Sequence, residues 1–249
     1  MPVSLLGDEE PPTILVNRGG RSPYVLIAEH ASNRLPTSLG TLGLETSDLE
    51  RHIAWDIGAE QVARRLSQLI DAPLLLQRYS RLAYDCNRPP DAADAMPEIS
   101  ETTHIPGNRN LSPADRLARI REIYRPFHAA IAELLDARAA EGTRSVVVTV
   151  HSFTPVYQGR ARSVEVGLLY DRDARLAERL IGTLPVVDAR FNEPYAPSDG
   201  VLHTLNVHAA PRGLEHVMIE IRNDLVTDGR GQEQWAERLR ASLGQAGKV

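Results

Sequence analysis

The chain has 249 residues, 42% of them hydrophobic, and a formal net charge of −5. That is enough apolar material for a real core, and an acidic chain without a Lys/Arg block gives no electrostatic case for nucleic acid. The single cysteine, Cys86, excludes an internal disulfide and a Cys-rich metal site. No stretch approaches the roughly 18 apolar residues of a membrane span, and the first residues carry neither a basic nor a long apolar leader segment. No membrane partner is expected, and a cytoplasmic address is the default.

The apolar runs alternate between two periods. Residues 24–28 (YVLIA) follow a turn-like GGRSP and read as a buried strand. Residues 56–70 place Ile57, Val62, Leu66, Leu69 and Ile70 near one helical face. Residues 73–77 and 82–84 read as strands, and residues 89–110 as a Pro-rich loop. Ser112 and Pro113 form an N-cap and a first-turn proline, opening a long helix. Along it Leu117, Ile120, Tyr124, Phe127, Ile131 and Leu134 step by three and four. Pro126 should kink this helix and Gly142 should end it. Residues 146–150 (VVVTV) are the clearest buried strand. Residues 164–170 read as another, followed by a helix near 174–181 and a short strand at 186–189. A turn-rich loop over 192–200, a strand over 216–221 (HVMIEI) and a helix over 232–243 close the chain. Strands separated by helices imply an α/β fold, a mostly parallel sheet covered on both faces. There is no internal repeat and no composition shift that marks a domain boundary.

Ligands of open α/β sheets bind beyond the carboxyl ends of the strands. Three predicted strands end there in reactive groups: one runs into Glu29 and His30, one into His151, and one carries Glu220 and leads into Arg222, Asn223 and Asp224. Two histidines and a carboxylate at one sheet edge suit zinc, whose catalytic sites take three protein ligands. Equally, a strand-end histidine can be a hydrogen-bonded edge residue. There is no HExxH motif, so a helix-borne zinc site is absent. A further stretch delivers Asp85, Asn87 and Arg88 into the Pro-rich loop. Arg88 offers a planar fork for a carboxylate and Asn87 a further donor, unless Arg88 simply pairs with Asp85.

Five segments, EHASNRLP (29–36), HIAWDIGA (52–59), YDCNRPP (84–90), HSFTP (151–155) and IEIRNDL (219–225), together resemble the N-formylglutamate amidohydrolase family. The matches run in order over nearly the whole chain. The family is similar in turn to zinc carboxypeptidases. The resemblance implies one domain over residues 1–249, a three-layer α/β fold of zinc-carboxypeptidase-like (phosphorylase/hydrolase-like) type, with a mostly parallel mixed sheet and helices on both faces. It implies a zinc-dependent amidohydrolase acting on a small acidic molecule, N-formyl-L-glutamate first, or another N-acyl amino acid or small peptide. It implies His30 and His151 as zinc ligands, Asn87 and Arg88 as grips on a substrate carboxylate, and Glu220 as general base. Asn33 stands where the carboxypeptidase pattern has a zinc-binding glutamate, and a neutral amide is a poor zinc ligand. Asp56 is the preferred third ligand, with N-capping of the following helix as its alternative role and Asn33 as the alternative ligand.

Arg222 is a second candidate for a substrate carboxylate, or a structural partner of Asp224 or Asp228. It lies on one face with Glu220, so a buried Glu220–Arg222 ion pair is the alternative to a catalytic Glu220. His203, His208 and Arg212 could line the pocket. Tyr195 could close over it as a lid, or cover an edge of the core. A rival of another class is a metal-free module that holds an acidic ligand with Arg88 and Arg222.

Overall fold

The computed structural model describes residues 4–184 and 188–247. Seven strands form one sheet: β1 (Thr13–Val16), β2 (Tyr24–Ala28), β3 (Leu74–Gln77), β4 (Val146–Phe153), β5 (Val166–Leu169), β6 (Ala189–Phe191) and β7 (His216–Arg222). Their spatial order is β1-β3-β2-β4-β7-β5-β6. The central strands β3, β2, β4 and β7 are parallel, β1 is antiparallel to β3, and β5 is antiparallel to β7. The expected mixed, mostly parallel sheet is present.

Alternation along the strands sorts side chains into two cores. Leu26, Leu74, Val148, Val150, Val217 and Ile219 pack beneath α1 (Ala59–Ile70), α3 (Arg175–Ile181) and α5 (Gly229–Ala246), where Trp235 and Leu239 are buried. Val25, Ile27, Leu75, Val147 and Met218 face the other way. They meet the long helix α2, built from Pro113–Arg119, Ile120–Tyr124 and Arg125–Ala140, and the short helix α4 (His203–His208). No helix among the described residues is long and apolar enough to cross a membrane.

Ser112 caps α2, its side chain accepting from the Asp115 amide. The irregularity at Pro126 takes the form of a π turn over Ile120–Tyr124, which absorbs the break left by the missing proline N–H. That turn shifts the helical phase. Ile123, Phe127, Ile131 and Leu135 are buried while Leu117 is 51% exposed, so Leu117 leaves the predicted apolar face. Gly142, at φ +69°, follows the last turn.

Three expectations need correction. Residues 82–84 are no strand: the Ala83 amide donates to the Ser80 carbonyl at 2.9 Å, closing a turn whose apolar residues are buried simply because it lies inside. The loop over 89–110 contains a small antiparallel ribbon, Ile99–Ser100 with Thr103–His104. Of the strand expected over 186–189, Val186 and Val187 lie outside the described residues, and the strand observed is Ala189–Phe191. The four half-buried residues of β1 are too few for a readable alternation.

Candidate active site

Three neighbouring strands deliver the centre. Ile27 of β2 lies beside Thr149 of β4, and His151 of β4 lies beside Glu220 of β7. Two positions beyond Ile27, Glu29 falls in the same row, so alternation places Glu29, His151 and Glu220 on one face. All three are buried, Glu220 at 5% exposure.

His30 follows Glu29, and its carbonyl accepts from the Asp56 amide at 2.9 Å, which ties the segment before α1 to the strand end. Gly58, at φ +80°, lets that segment settle: a Cβ there would lie 2.2 Å from the Val226 carbonyl oxygen. Gly58, not Asp56, is the N-cap of α1, and it makes no side-chain cap bond. The Asp56 carboxylate points instead at the histidines. Its Oδ2 lies 2.7 Å from His151 Nδ1 and 3.3 Å from His30 Nδ1.

The far nitrogen of each ring meets a second carboxylate. His30 Nε2 is 2.7 Å from Asp85 Oδ1, and His151 Nε2 is 3.0 Å from Glu29 Oε2. The turn at Ser80 brings Arg81 and Asp85 together at 2.7 Å, and Arg81 also lies 3.6 Å from Asp56 Oδ1. Glu220 completes the group with one oxygen, Oε2, that has no hydrogen-bond partner.

Burial opposes charge on all these groups, and for most of them the partners outweigh it. Burial and Arg81 pull His30 down, but Asp85 and Asp56 leave it raised. Burial lowers His151, yet Glu29 and Asp56 hold it well above the usual value. Burial raises Glu29, Asp56 and Asp85, but the histidines, with Arg81 beside Asp85, keep all three below the ordinary carboxylate range. Glu220 differs. Burial dominates, His151 offsets only part of it, Asp56 adds to it, and the carboxyl is pushed up to about 7.

One ligand atom from each of His30, Asp56 and His151 lies within 4.8 Å of the others. Ionised carboxylates only accept hydrogen bonds, so Asp85 fixes the His30 Nε2 as a protonated nitrogen and turns its Nδ1 toward Asp56, while the Glu29 carboxylate lies 3.0 Å from His151 Nε2 as a charge neighbour. Two imidazole nitrogens and a carboxylate oxygen, each ring beside an outer carboxylate, form a donor set that fits a divalent cation.

These residues open into a pocket of about 480 Å³ that also takes in His52, Arg81, Asn87, Arg88, Glu101, Tyr157, Arg162, Tyr195 and Asp199. Seven sequence candidates meet there: His30, Asp56, Asn87, Arg88, His151, Tyr195 and Glu220. Within it, both ends of the Asn87 amide are engaged by backbone, the nitrogen by Val201 O and the oxygen by the Thr204 amide. Arg88 pairs with Asp94 at 2.7 Å, not with Asp85.

Asn33 and Arg222 do not line the pocket. Asn33 donates to Leu49 O at 2.9 Å, and Arg222 is held by Asp224 and the Ser163 carbonyl, each at 2.8 Å, with no Glu220–Arg222 pair. His203 bonds Tyr124, His208 bonds His128 and Arg212 bonds Asp136, all outside the pocket lining. Tyr195 is brought in because the chain before it crosses β5 at Gly167, where a Cβ would meet the Glu193 carbonyl oxygen at 1.9 Å.

Sequence reasoning named Glu29 as a strand-end group but gave it no role, missed Arg81 and Arg162, and missed that Asp85 serves His30. The i,i+4 spacing of Arg81 and Asp85 was a usable signal, masked by reading the segment as extended. Nothing in the sequence sets Arg162 apart from Arg160.

A buried His-Asp-His centre beside a glutamate whose carboxyl is pushed up to about 7 suits hydrolytic chemistry. The sequence profile of N-formylglutamate amidohydrolase matches residues 22–227, and the chain belongs to that family. The chain is also similar to a gene product of Agrobacterium tumefaciens of known crystal structure, at 47% identity over 95% of each chain and a TM-score of 0.94. The N-formylglutamate amidohydrolase from Ralstonia eutropha shares the fold, at 20% identity over 96% of this chain and 98% of that one, with a TM-score of 0.72. No curated protein matches.

Proposed function

We propose that the protein is a zinc-dependent hydrolase of N-acyl amino acids, with N-formyl-L-glutamate, cleaved to formate and L-glutamate, as the first substrate to test. One observation carries this reading: each of two buried histidines presents Nδ1 to Asp56 while a carboxylate lies within 3.0 Å of its other nitrogen, with Glu220 alongside. His30, Asp56 and His151 would hold the metal. Zinc bound there would supply a Lewis acid for the scissile carbonyl and bring the pKa of a water toward about 7.

The chain's own residues do the rest. Glu220, pushed up to about 7, accepts the proton of the attacking water and returns it to the departing amine. The histidines, with Arg81 beside Asp85, keep Asp85 and Asp56 ionised, and Asp85 keeps the His30 ring from rotating. Tyr195 and the surrounding loops limit solvent at the reacting bond. A pocket of about 480 Å³ falls in the range of small-molecule sites, which leaves room for other N-acyl amino acids or a small peptide.

The test is hydrolysis of N-formyl-L-glutamate against a panel of N-acyl amino acids, after chelation and after zinc is restored, with the metal counted by elemental analysis. Activity that chelation removes and zinc restores is expected. Full activity in metal-free protein would overturn the metal assignment, and no turnover of any member would overturn the substrate class.

A further inference from the structure

We propose that Arg162, with the Tyr195 hydroxyl beside it, is the receptor for the substrate's carboxylate, an inference that rests on the hydrolase reading above. The pocket contains three arginines. Arg81 is committed to Asp85 and Asp56, and Arg88 to Asp94. Among the described residues no carboxylate lies within 4.0 Å of Arg162, although Glu101, Asp199 and Glu220 line the same pocket.

The geometry around Arg162 replaces a counter-ion with aromatic faces. Its guanidinium carbon lies 4.6 Å from the Tyr157 ring centroid, 4.9 Å from that of Tyr195 and 5.8 Å from that of Phe153. Aromatic faces attract a guanidinium without consuming its N–H donors, so the fork stays available for a planar anion. One donor, on Nη1, reaches the Tyr195 hydroxyl oxygen at 3.3 Å. Burial, with Glu220 adding to it, pushes the Tyr195 phenol up to about 12, so its own proton stays in place as a further donor.

The base of the side chain is anchored as well. The Arg162 amide donates to Pro155 O at 2.8 Å, and its carbonyl accepts from Arg222 at 3.4 Å. That contact gives Arg222 a task at one remove, holding the backbone under the receptor. A cation held among aromatic faces, restrained at its base and without a carboxylate partner in its pocket is organised for an anionic ligand. The ligand class that follows is an N-acyl amino acid with a free carboxylate, received at Arg162 while its acyl end lies toward His30, Asp56 and His151. An ester or carboxamide of the same compound would leave Arg162 without a partner.

The experiment compares N-formyl-L-glutamate and other N-acyl L-amino acids with their α- and side-chain carboxamides, in the parent protein and in Arg162→Lys and Arg162→Met. A charge-assisted bidentate contact predicts that Arg162→Met loses about 10- to 100-fold in kcat/KM on carboxylate substrates, mostly through KM. The carboxamide whose missing carboxylate is the one that Arg162 receives should change by less than about threefold, and zinc content should stay constant. Arg162→Lys should recover only part of the loss, because the fork is gone. A parent protein that cleaves acids and both carboxamides equally well, or a variant that loses equally on all of them, would overturn the Arg162 assignment and leave the hydrolase reading intact. A zinc-loaded parent that cleaves none of the panel would overturn both.

Discussion

Two sets of buried histidines show how partners, not burial, decide the state of an imidazole. His30 and His151 are 4% and 1% exposed; His128 and His208, between α2 and α4, are 7% and 4% exposed. The first pair is surrounded by Asp56, Asp85 and Glu29, and both rings are shifted toward the charged form. The second pair has no carboxylate bonded to it. His128 bonds the Cys86 carbonyl at 2.9 Å and His208 Nε2 at 2.8 Å. Burial lowers His128 to about 4, and burial, with His128 and Arg212 adding to it, lowers His208 to about 3. The first pair can exchange protons for a cation, whereas the second is a neutral spacer between a strand-end turn and two helices.

The sharpest way to break that comparison is to remove histidines from each set. His30→Ala or His151→Ala should lose the zinc, and with it activity on the order of a thousandfold, since a metal contributes several kcal/mol of charge stabilisation to the transition state. His208→Gln should keep the zinc, as measured by elemental analysis of folded protein. A His208→Gln protein that binds no zinc, or a His151→Ala protein that binds it fully, would erase the distinction. Next in size is Glu220→Gln, which keeps the shape but cannot take a proton. The rate should fall about a hundredfold or more, with zinc content and melting temperature near those of the parent. If the folded, zinc-loaded variant hydrolyses normally, Glu220 is not the base.

Smaller again is the effect of the outer carboxylates. Asp85→Asn removes the ionised acceptor that orients His30, and Glu29→Gln removes the carboxylate charge 3.0 Å from His151 Nε2. Each should weaken zinc binding by about 10- to 100-fold, read by competition with a chelator. Equal zinc affinity in both variants and the parent would mean that the rings hold their orientation unaided.

The contrast also explains what the sequence disclosed. The sheet was legible because residues 24–28, 146–150 and 216–221 are continuous apolar runs, the signature of strands covered on both faces. His30, His151 and Glu220 were legible because they interrupt or end those runs. The partners were not. Asp85 reaches His30 across 55 positions from the turn at Ser80, and Glu29 lies by His151 from the end of the neighbouring strand, contacts that only the fold decides. His208 is indistinguishable in sequence from a pocket histidine. Only the packing of α4 on α2 shows that it faces His128. The family resemblance implies that Arg88 and Asn87 grip substrate; in the fold Arg88 Nε donates to Asp94, and the Asn87 amide is engaged by the Val201 carbonyl and the Thr204 amide.

The smallest effect concerns the neutral pair, and its sign can be worked out. His128 and His208 titrate at about 4 and about 3 in the folded protein, against 6.5 when unfolded. Between those values the unfolded chain binds protons that the folded chain does not, so stability must rise with pH there. The contribution is fully present above the unfolded value and is lost as pH falls from 6.5 toward 4 and 3. Each histidine adds a slope of up to about 1.4 kcal/mol per pH unit. The Cys86 carbonyl opposes this in His128 and Glu29 opposes it in both rings, while His203 reinforces it in both and Arg212 in His208. Gln has no titratable group and retains both a donor and an acceptor. The double variant His128→Gln/His208→Gln, zinc-loaded, should therefore show a shallower fall in denaturant stability than the parent between pH 6.5 and about pH 5, whatever its absolute stability. Parallel curves would mean that the two rings are already charged in the folded state, and the division between the two histidine sets would be lost.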